Sequence, residues 1–214
     1  MKKITSLTFL VLFAATAAAQ NWETFKYESG DLLFQELECE TCLPLSKVTP
    51  ATGKHHFTHV GMAYVVSDSV WVIEALEQQV RLVPLKDFVQ RQGTGGRQAA
   101  LSVGRIAAQH QHLTGRALGW ALEQRGVPYD HDFTINNDKF FSSELIFEAF
   151  KAANKGDVLF DPEPMSFNDP ATYKPHPLWK KYFEEIGIVV PEGKTSVSPA
   201  ALANDENVEI IASF

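Results

Sequence analysis

Residues 31–36, Asp-Leu-Leu-Phe-Gln-Glu, follow the turn-forming pair Ser29-Gly30 and form a short apolar run with polar ends, which predicts a strand. Residues 58–66 gather β-branched and aromatic side chains and run into the turn residues Ser67-Asp68-Ser69. The following 70–75 is then expected as the hairpin partner. In 79–84, Val80 and Leu82 alternate with Gln79 and Arg81, as in a half-buried strand. A further strand is expected at about 99–106, after the turn Gly95-Gly96, and a last one at 207–211. Elsewhere the period lengthens. Residues 112–124 repeat Leu113, Ala117 and Trp120 or Ala121 at helical spacing and stop just before Gly126. Residues 143–153 carry Leu145, Ile146, Ala149, Phe150 and Ala153 on one face, and 177–186 read as another amphipathic helix. A short helix is expected over 85–92, closed by Gly93. The stretch 37–56, with Pro44, Pro50 and Gly53, reads as a loop with no more than a helical turn. With no internal repeat, a mostly antiparallel sheet with helices outside it gives the class α+β.

The N-terminus stands apart from this pattern. Lys2 and Lys3, the apolar run Leu7 to Ala15 and the small residues Ala17-Ala18-Ala19 have the form of a secretory signal peptide cut after Ala19. The apolar run is too short to span a bilayer and no stop-transfer charges follow, so no integral membrane span is expected in the mature chain. No cysteine stands at the cleavage site to take a lipid. Residues 20–214 are long enough for one sizeable core and short for two, which predicts a single exported domain, periplasmic or secreted. The formal charge is −7 at pH 7, and two units more negative once Lys2 and Lys3 leave. That balance, without a basic cluster, argues against nucleic acid or an anionic membrane as partner.

Cys39, Cys42, His55 and His59 match the zinc-module spacing C-x2-C-x12-H-x3-H. In such a module both histidines lie on one helix, whereas His59 opens a β-branched run and Pro44 and Pro50 interrupt the segment between. No metal and no cofactor are therefore expected. In an exported chain the two cysteines read as a small disulfide loop or a pair of free thiols, and a thioredoxin-type role lacks its βαβ context. Neither is placed at a helix start, so neither is expected as a nucleophile.

His59 begins a strand, next to Gly61, and Glu74 lies near the end of the predicted partner, in the apolar setting Val72-Ile73-Glu74-Ala75. A carboxylate there is costly to desolvate unless paired. The hairpin would bring it to His59, where it would fix the imidazole tautomer and raise its basicity. Ser142 lies in Phe140-Phe-Ser-Ser-Glu-Leu. Ser142 or Ser143 fits a helix N-cap, with Glu144 in the first turn. The alternative is a side chain at the positive end of the helix, where backbone N–H groups bind developing negative charge.

Gly30-Asp-Leu-Leu-Phe, Thr58-His-Val-Gly-Met, Val72-Ile-Glu-Ala, Gly126-Val-Pro-Tyr-Asp and Phe141-Ser-Ser-Glu-Leu, in this order, resemble the YiiX/YaeF-type permuted papain-like amidases, relatives of the NlpC cell-wall peptidases. The likeness runs on through Glu163-Pro-Met-Ser-Phe and Pro191-Glu-Gly-Lys. It implies a circularly permuted papain-like (NlpC-type) fold, a mostly antiparallel sheet or partial barrel packed against helices. It also implies His59 as general base, Glu74 as its orienter and Tyr129 lining the pocket. Members of the family read Tyr-Cys-Ser-Glu-Leu where this chain reads Phe141-Ser142-Ser143-Glu144-Leu145, so Ser142 stands in the place of the nucleophilic cysteine. A serine hydroxyl must lose its proton during attack, whereas a cysteine is partly thiolate already. Ser142 therefore reads as a working nucleophile, a natural loss of catalysis or a substitution introduced to trap a ligand. The expected function is hydrolysis of an amide or peptide bond, in cell-wall stem peptides, other peptidoglycan fragments or related small peptides and amides. The alternative is an inactive module on the same scaffold that binds a peptide or amino acid.

Overall fold

In the computed structural model of the chain, which describes residues 21–39, 42–48, 51–93 and 95–214, six strands form one antiparallel sheet. The signal peptide read at residues 1–19 lies outside the described residues. In chain order the first four strands are β1 (Leu32–Gln35), β2 (His59–Val66), β3 (Ser69–Leu76) and β4 (Gln79–Pro84). Beyond β1 the sheet continues through the strand Leu101–Ile106 to the C-terminal strand Val208–Ser213, which forms one edge, with β4 at the other. It is open and does not close into a barrel.

The sheet is covered on both faces. On one, Leu32, Phe34, Val60, Met62, Ile73 and Ala75 join the core that also takes in α3 (Gln111–Glu123) and α4 (Ser142–Ala153). Phe34, Phe147 and Phe150 are shielded from solvent there, and such burial contributes roughly 1.5–3 kcal/mol per side chain. On the other face Leu33, Ala63, Val72 and Val103 pack against Phe88 of α2 (Leu85–Val89), with Trp22, Phe25 and Phe214 closing the layer. Strand alternation sends neighbouring residues to opposite layers. His59 and Gly61 therefore share the α2 side while Val60 and Met62 face α4.

Three elements differ from the sequence expectation. The 37–56 stretch contains a helix, α1 (Cys42–Val48), with Pro44 in its first turn, where a missing N–H costs nothing. The helix at 85–92 stops at Val89, and Gln92–Gly93 pair with Arg97–Gln98. Gly93 does not close that helix. Any Cβ there would lie 2.6 Å from the Ala99 Cα, so glycine allows two backbones to meet. A helix α6 (Pro199–Asn204), capped by the Ser198 side chain on the Ala201 N–H, was not expected. The helix α5 (Pro177–Glu185) sets Trp179 and Phe183 against Phe133 and Phe167, anchoring the loop that carries Phe133 next to the site.

Candidate active site

The β2–β3 hairpin pairs Met62 with Ile73 and Val66 with Ser69. Extending that register sets Glu74 opposite Gly61, so His59, two residues from Gly61, lies diagonally from Glu74 on the same face. Their side chains meet, His59 Nε2 lying 2.6 Å from Glu74 Oε2. Both are almost completely buried. Glu74 also stands directly opposite Arg81 of β4. Arg81 Nε donates to Glu74 Oε1 at 2.9 Å, and Arg91 grips both carboxylate oxygens, at 2.6 Å and 2.5 Å. Arg91 in turn lies over the Phe88 ring, 4.8 Å from its centre. The same ring backs His59. Gly61 makes room for this ring, since a Cβ there would come within 3.1 Å of Phe88 Cε2 and 2.5 Å of Val72 Cγ1.

Burial alone would raise the Glu74 carboxyl, but the hydrogen bond from His59, then the hydrogen bonds and charge of Arg91, hold it well below the usual carboxylate range. His59 is lowered, first by burial and further by the charges of Arg91 and Arg81, against the opposing pull of Glu74. An ionised carboxylate only accepts. The His59–Glu74 bond therefore places the imidazole proton on Nε2 and leaves Nδ1 with its lone pair.

Ser142 is the first residue of α4, and the expected serine cap is not found. The N-cap is Phe141, in extended conformation, with no side-chain capping bond. Its N–H is accepted instead by the Glu144 carboxyl, at 3.4 Å. Ser143 turns inward, donating to the Val197 carbonyl at 2.8 Å, so it is spent on packing the helix against the 195–199 segment. Ser142 Oγ makes no hydrogen bond among the described residues, and the side chain lines a cleft at the end of the sheet. The first turn leaves the N–H groups of Ser142 and Ser143 without intrahelical acceptors beside it.

His59, Ser142 and Tyr129 line this one cleft, while Glu74 stands behind His59, out of it. The remaining walls are largely apolar, including Leu45, Leu76, Phe133, Phe141, Met165 and Val197. No Asp, Glu, Lys or Arg lines the cleft among the described residues. Cys42 contributes to the wall from the start of α1, which corrects its placement away from any helix start, and it is bonded to Cys39. The residues that sequence reasoning overlooked are Arg81 and Arg91. Arg81 carried a signal, because strands ending at Leu76 and starting at Gln79 leave a two-residue loop that puts Glu74 opposite it. Arg91 carried none.

The defining pattern of a family described as permuted papain-like amidase enzyme, YaeF/YiiX, C92 family, matches residues 26–212. The chain belongs to this family. It is 23% identical over 186 residues to the uncharacterized protein YiiX of Escherichia coli strain K12, covering 86% of each chain. It is also similar to the crystal structure of the metalloprotein YiiX from Escherichia coli O157:H7, with a TM-score of 0.70 and 22% identity over 89% of this chain and 99% of that one. In this permuted papain-like amidase, no three His, Cys, Asp or Glu side chains gather as metal ligands among the described residues. The disulfide also occupies both sulfurs of the zinc-like spacing. The residues here therefore do not fit a zinc module, and no step below runs through a metal.

Proposed function

We propose that this permuted papain-like amidase hydrolyses an amide or peptide bond with Ser142 as nucleophile, His59 as base and Glu74 as orienter. The observation that carries the reading is the shared cleft: Ser142 and His59 both line it, while Glu74 fixes the imidazole from behind. His59 Nδ1 takes the hydroxyl proton as Ser142 Oγ attacks the carbonyl carbon. The oxyanion is stabilised by the free N–H groups at the start of α4. Its collapse breaks the C–N bond, the leaving amine takes the proton from His59, and water activated by the same histidine releases the acyl group. Tyr129 and the apolar walls form the substrate pocket. With no Asp, Glu, Lys or Arg on those walls among the described residues, the group beside the scissile bond is uncharged, which suits the alanyl positions of cell-wall stem peptides and other small amides. Export, to the periplasm or beyond, is supported by the signal peptide and by the Cys39–Cys42 disulfide, a bond at home in an oxidising compartment.

The test is hydrolysis of a panel of stem peptides and simple alanyl amides by the mature protein, Ser142→Ala, Ser142→Cys and His59→Ala. The native form is expected to turn over, with losses of 10³-fold or more, roughly, in the alanine variants. Unimpaired turnover by Ser142→Ala would remove the serine from the mechanism. Peptide binding with no turnover in any form would make the cleft a binding site that has lost catalysis.

A further inference from the structure

We infer that Arg81 and Arg91 are positioning residues that keep His59 an uncharged, Nε2-protonated imidazole, the state a serine nucleophile needs and a thiolate–imidazolium pair does not. This rests on the reading of Ser142 and His59 given above. Glu74 accepts four hydrogen bonds: one from Arg81 Nε, two from the Arg91 fork and one from His59 Nε2. Its lone pairs are all engaged. Two guanidinium groups already exceed its single negative charge, so a second proton on His59 would place a third cation on one carboxylate, away from water. In a triad whose carboxylate has no other partner, that carboxylate is available to stabilise the imidazolium. Here the arginines have largely neutralised it.

Among the described residues no other charge facing His59 reverses this count. Phe88 of α2 contributes an aromatic ring, and Gln35 of β1, opposite His59 in register, is a neutral amide donating to the Phe88 carbonyl at 2.9 Å. From α4 comes the Ser142 hydroxyl. From the α1 side comes a disulfide, which does not titrate. Glu77 meets Arg81 at 3.5 Å, but at the exposed rim, where solvent screens it. The lowered His59 agrees with this reading, although burial contributes first.

The consequence concerns the substitution at position 142. A thiolate–imidazolium pair needs a histidine that holds its second proton at neutral pH. A serine keeps its proton until attack and needs the lone pair on Nδ1 available beforehand. Position 142 and the arginine pair are thus consistent with each other, which favours a working serine over a crippled cysteine site.

The experiment is a pH titration of the imidazole nitrogens by NMR on the mature protein, with His59 assigned through His59→Gln. In the native protein His59 is expected to stay singly protonated, on Nε2, from pH 8 down to below 6. In Arg91→Gln its midpoint should rise by about one pH unit or more, and the acid limb of kcat/KM should move with it. Arg91→Lys, which keeps the charge without the fork, should restore most of the native midpoint. If Arg91→Gln does not fold, Arg81→Gln at the rim removes one of the same two charges and should shift the midpoint in the same direction. A doubly protonated His59 at neutral pH in the native protein would overturn the inference, as would a midpoint unmoved in both glutamine variants. The NMR shift without hydrolysis of any amide would leave the charge count standing and sink the catalytic reading. Hydrolysis with an unmoved midpoint would do the reverse.

Discussion

Glu144, the third residue of α4, is only 1% exposed. Its carboxyl is pushed up to about 9, by burial first and then by the charge of Asp130, while the Phe141 N–H pulls the other way. At neutral pH it is therefore an uncharged acid, and its replacement by glutamine keeps shape and charge. The folded value lies above the ordinary 4.5, so folding takes up a proton between these limits. The stabilisation is complete below about pH 4.5 and is lost as pH rises toward 9. The slope is at most about 1.4 kcal/mol per pH unit, which bounds the loss between pH 4.5 and 7 at about 3.5 kcal/mol. Glu144→Gln should match the native protein in urea denaturation near pH 5 and exceed it increasingly toward pH 8, by about 1–3 kcal/mol. Asp130 is raised in the same direction and remains in both proteins, so the difference between the two curves isolates residue 144 and its coupling to Asp130. Parallel stability profiles from pH 5 to 8, or a variant weaker at pH 8, would mean that Glu144 is ionised in the native state and would refute the argument.

Gly61→Ala should cost about 1–3 kcal/mol in urea unfolding, because the new methyl meets Val72, the Phe88 ring and, at 3.2 Å, the fixed Ile73 carbonyl. Gly119→Ala, in the middle of α3 with nothing within 4 Å of its Cβ, should instead stabilise by about 1 kcal/mol, and equal effects at the two sites would contradict the packing described. The Cys39–Cys42 bond closes a very short loop, so Cys39→Ser/Cys42→Ser should lose only about 2 kcal/mol by thermal or urea unfolding. Because Cys42 and Leu45 form cleft wall, the same double variant should raise KM more than it lowers kcat, and an unchanged KM would detach α1 from substrate binding.

The sheet was legible because its strands announce themselves locally. Val70, Val72 and Ala75 follow the turn residues Ser67-Asp68-Ser69, and it is the pairing of Val66 with Ser69, which leaves a two-residue turn, that sets the parity bringing Glu74 to the face of His59. The helix boundaries were less so. The pair Ser142-Ser143 has the composition of a cap, yet Ser143 finds a better acceptor in Val197, 54 residues away. Long-range packing decides such cases, and no local rule contains it. Pro44 hid α1 by resembling a breaker when it stood in a first turn. Ser198-Pro199 had the opposite history, being a serine cap and a proline at the first helical position that would have announced α6. Arg91 reaches Glu74 only because the chain turns back after the short helix α2, and nothing in its neighbours records that contact.

The charges around the cleft are arranged with one sign bias. Among the described residues the cleft wall itself carries no Asp, Glu, Lys or Arg, and behind His59, on the α2 side of the sheet, two guanidinium groups outweigh one carboxylate. On the opposite wall the N-terminus of α4 presents unpaired N–H groups, and the acid nearest to them, Glu144, carries no charge to cancel the positive end of the helix. A carbonyl held between Ser142 and His59 would thus become negative in surroundings that favour negative charge from both sides. The imidazole that must take up the proton is less favoured as a cation. On the proposed reading the site invests in the oxyanion more than in the imidazolium. Removing Arg91 should then exchange one for the other, giving a base that protonates more readily and an oxyanion with less support.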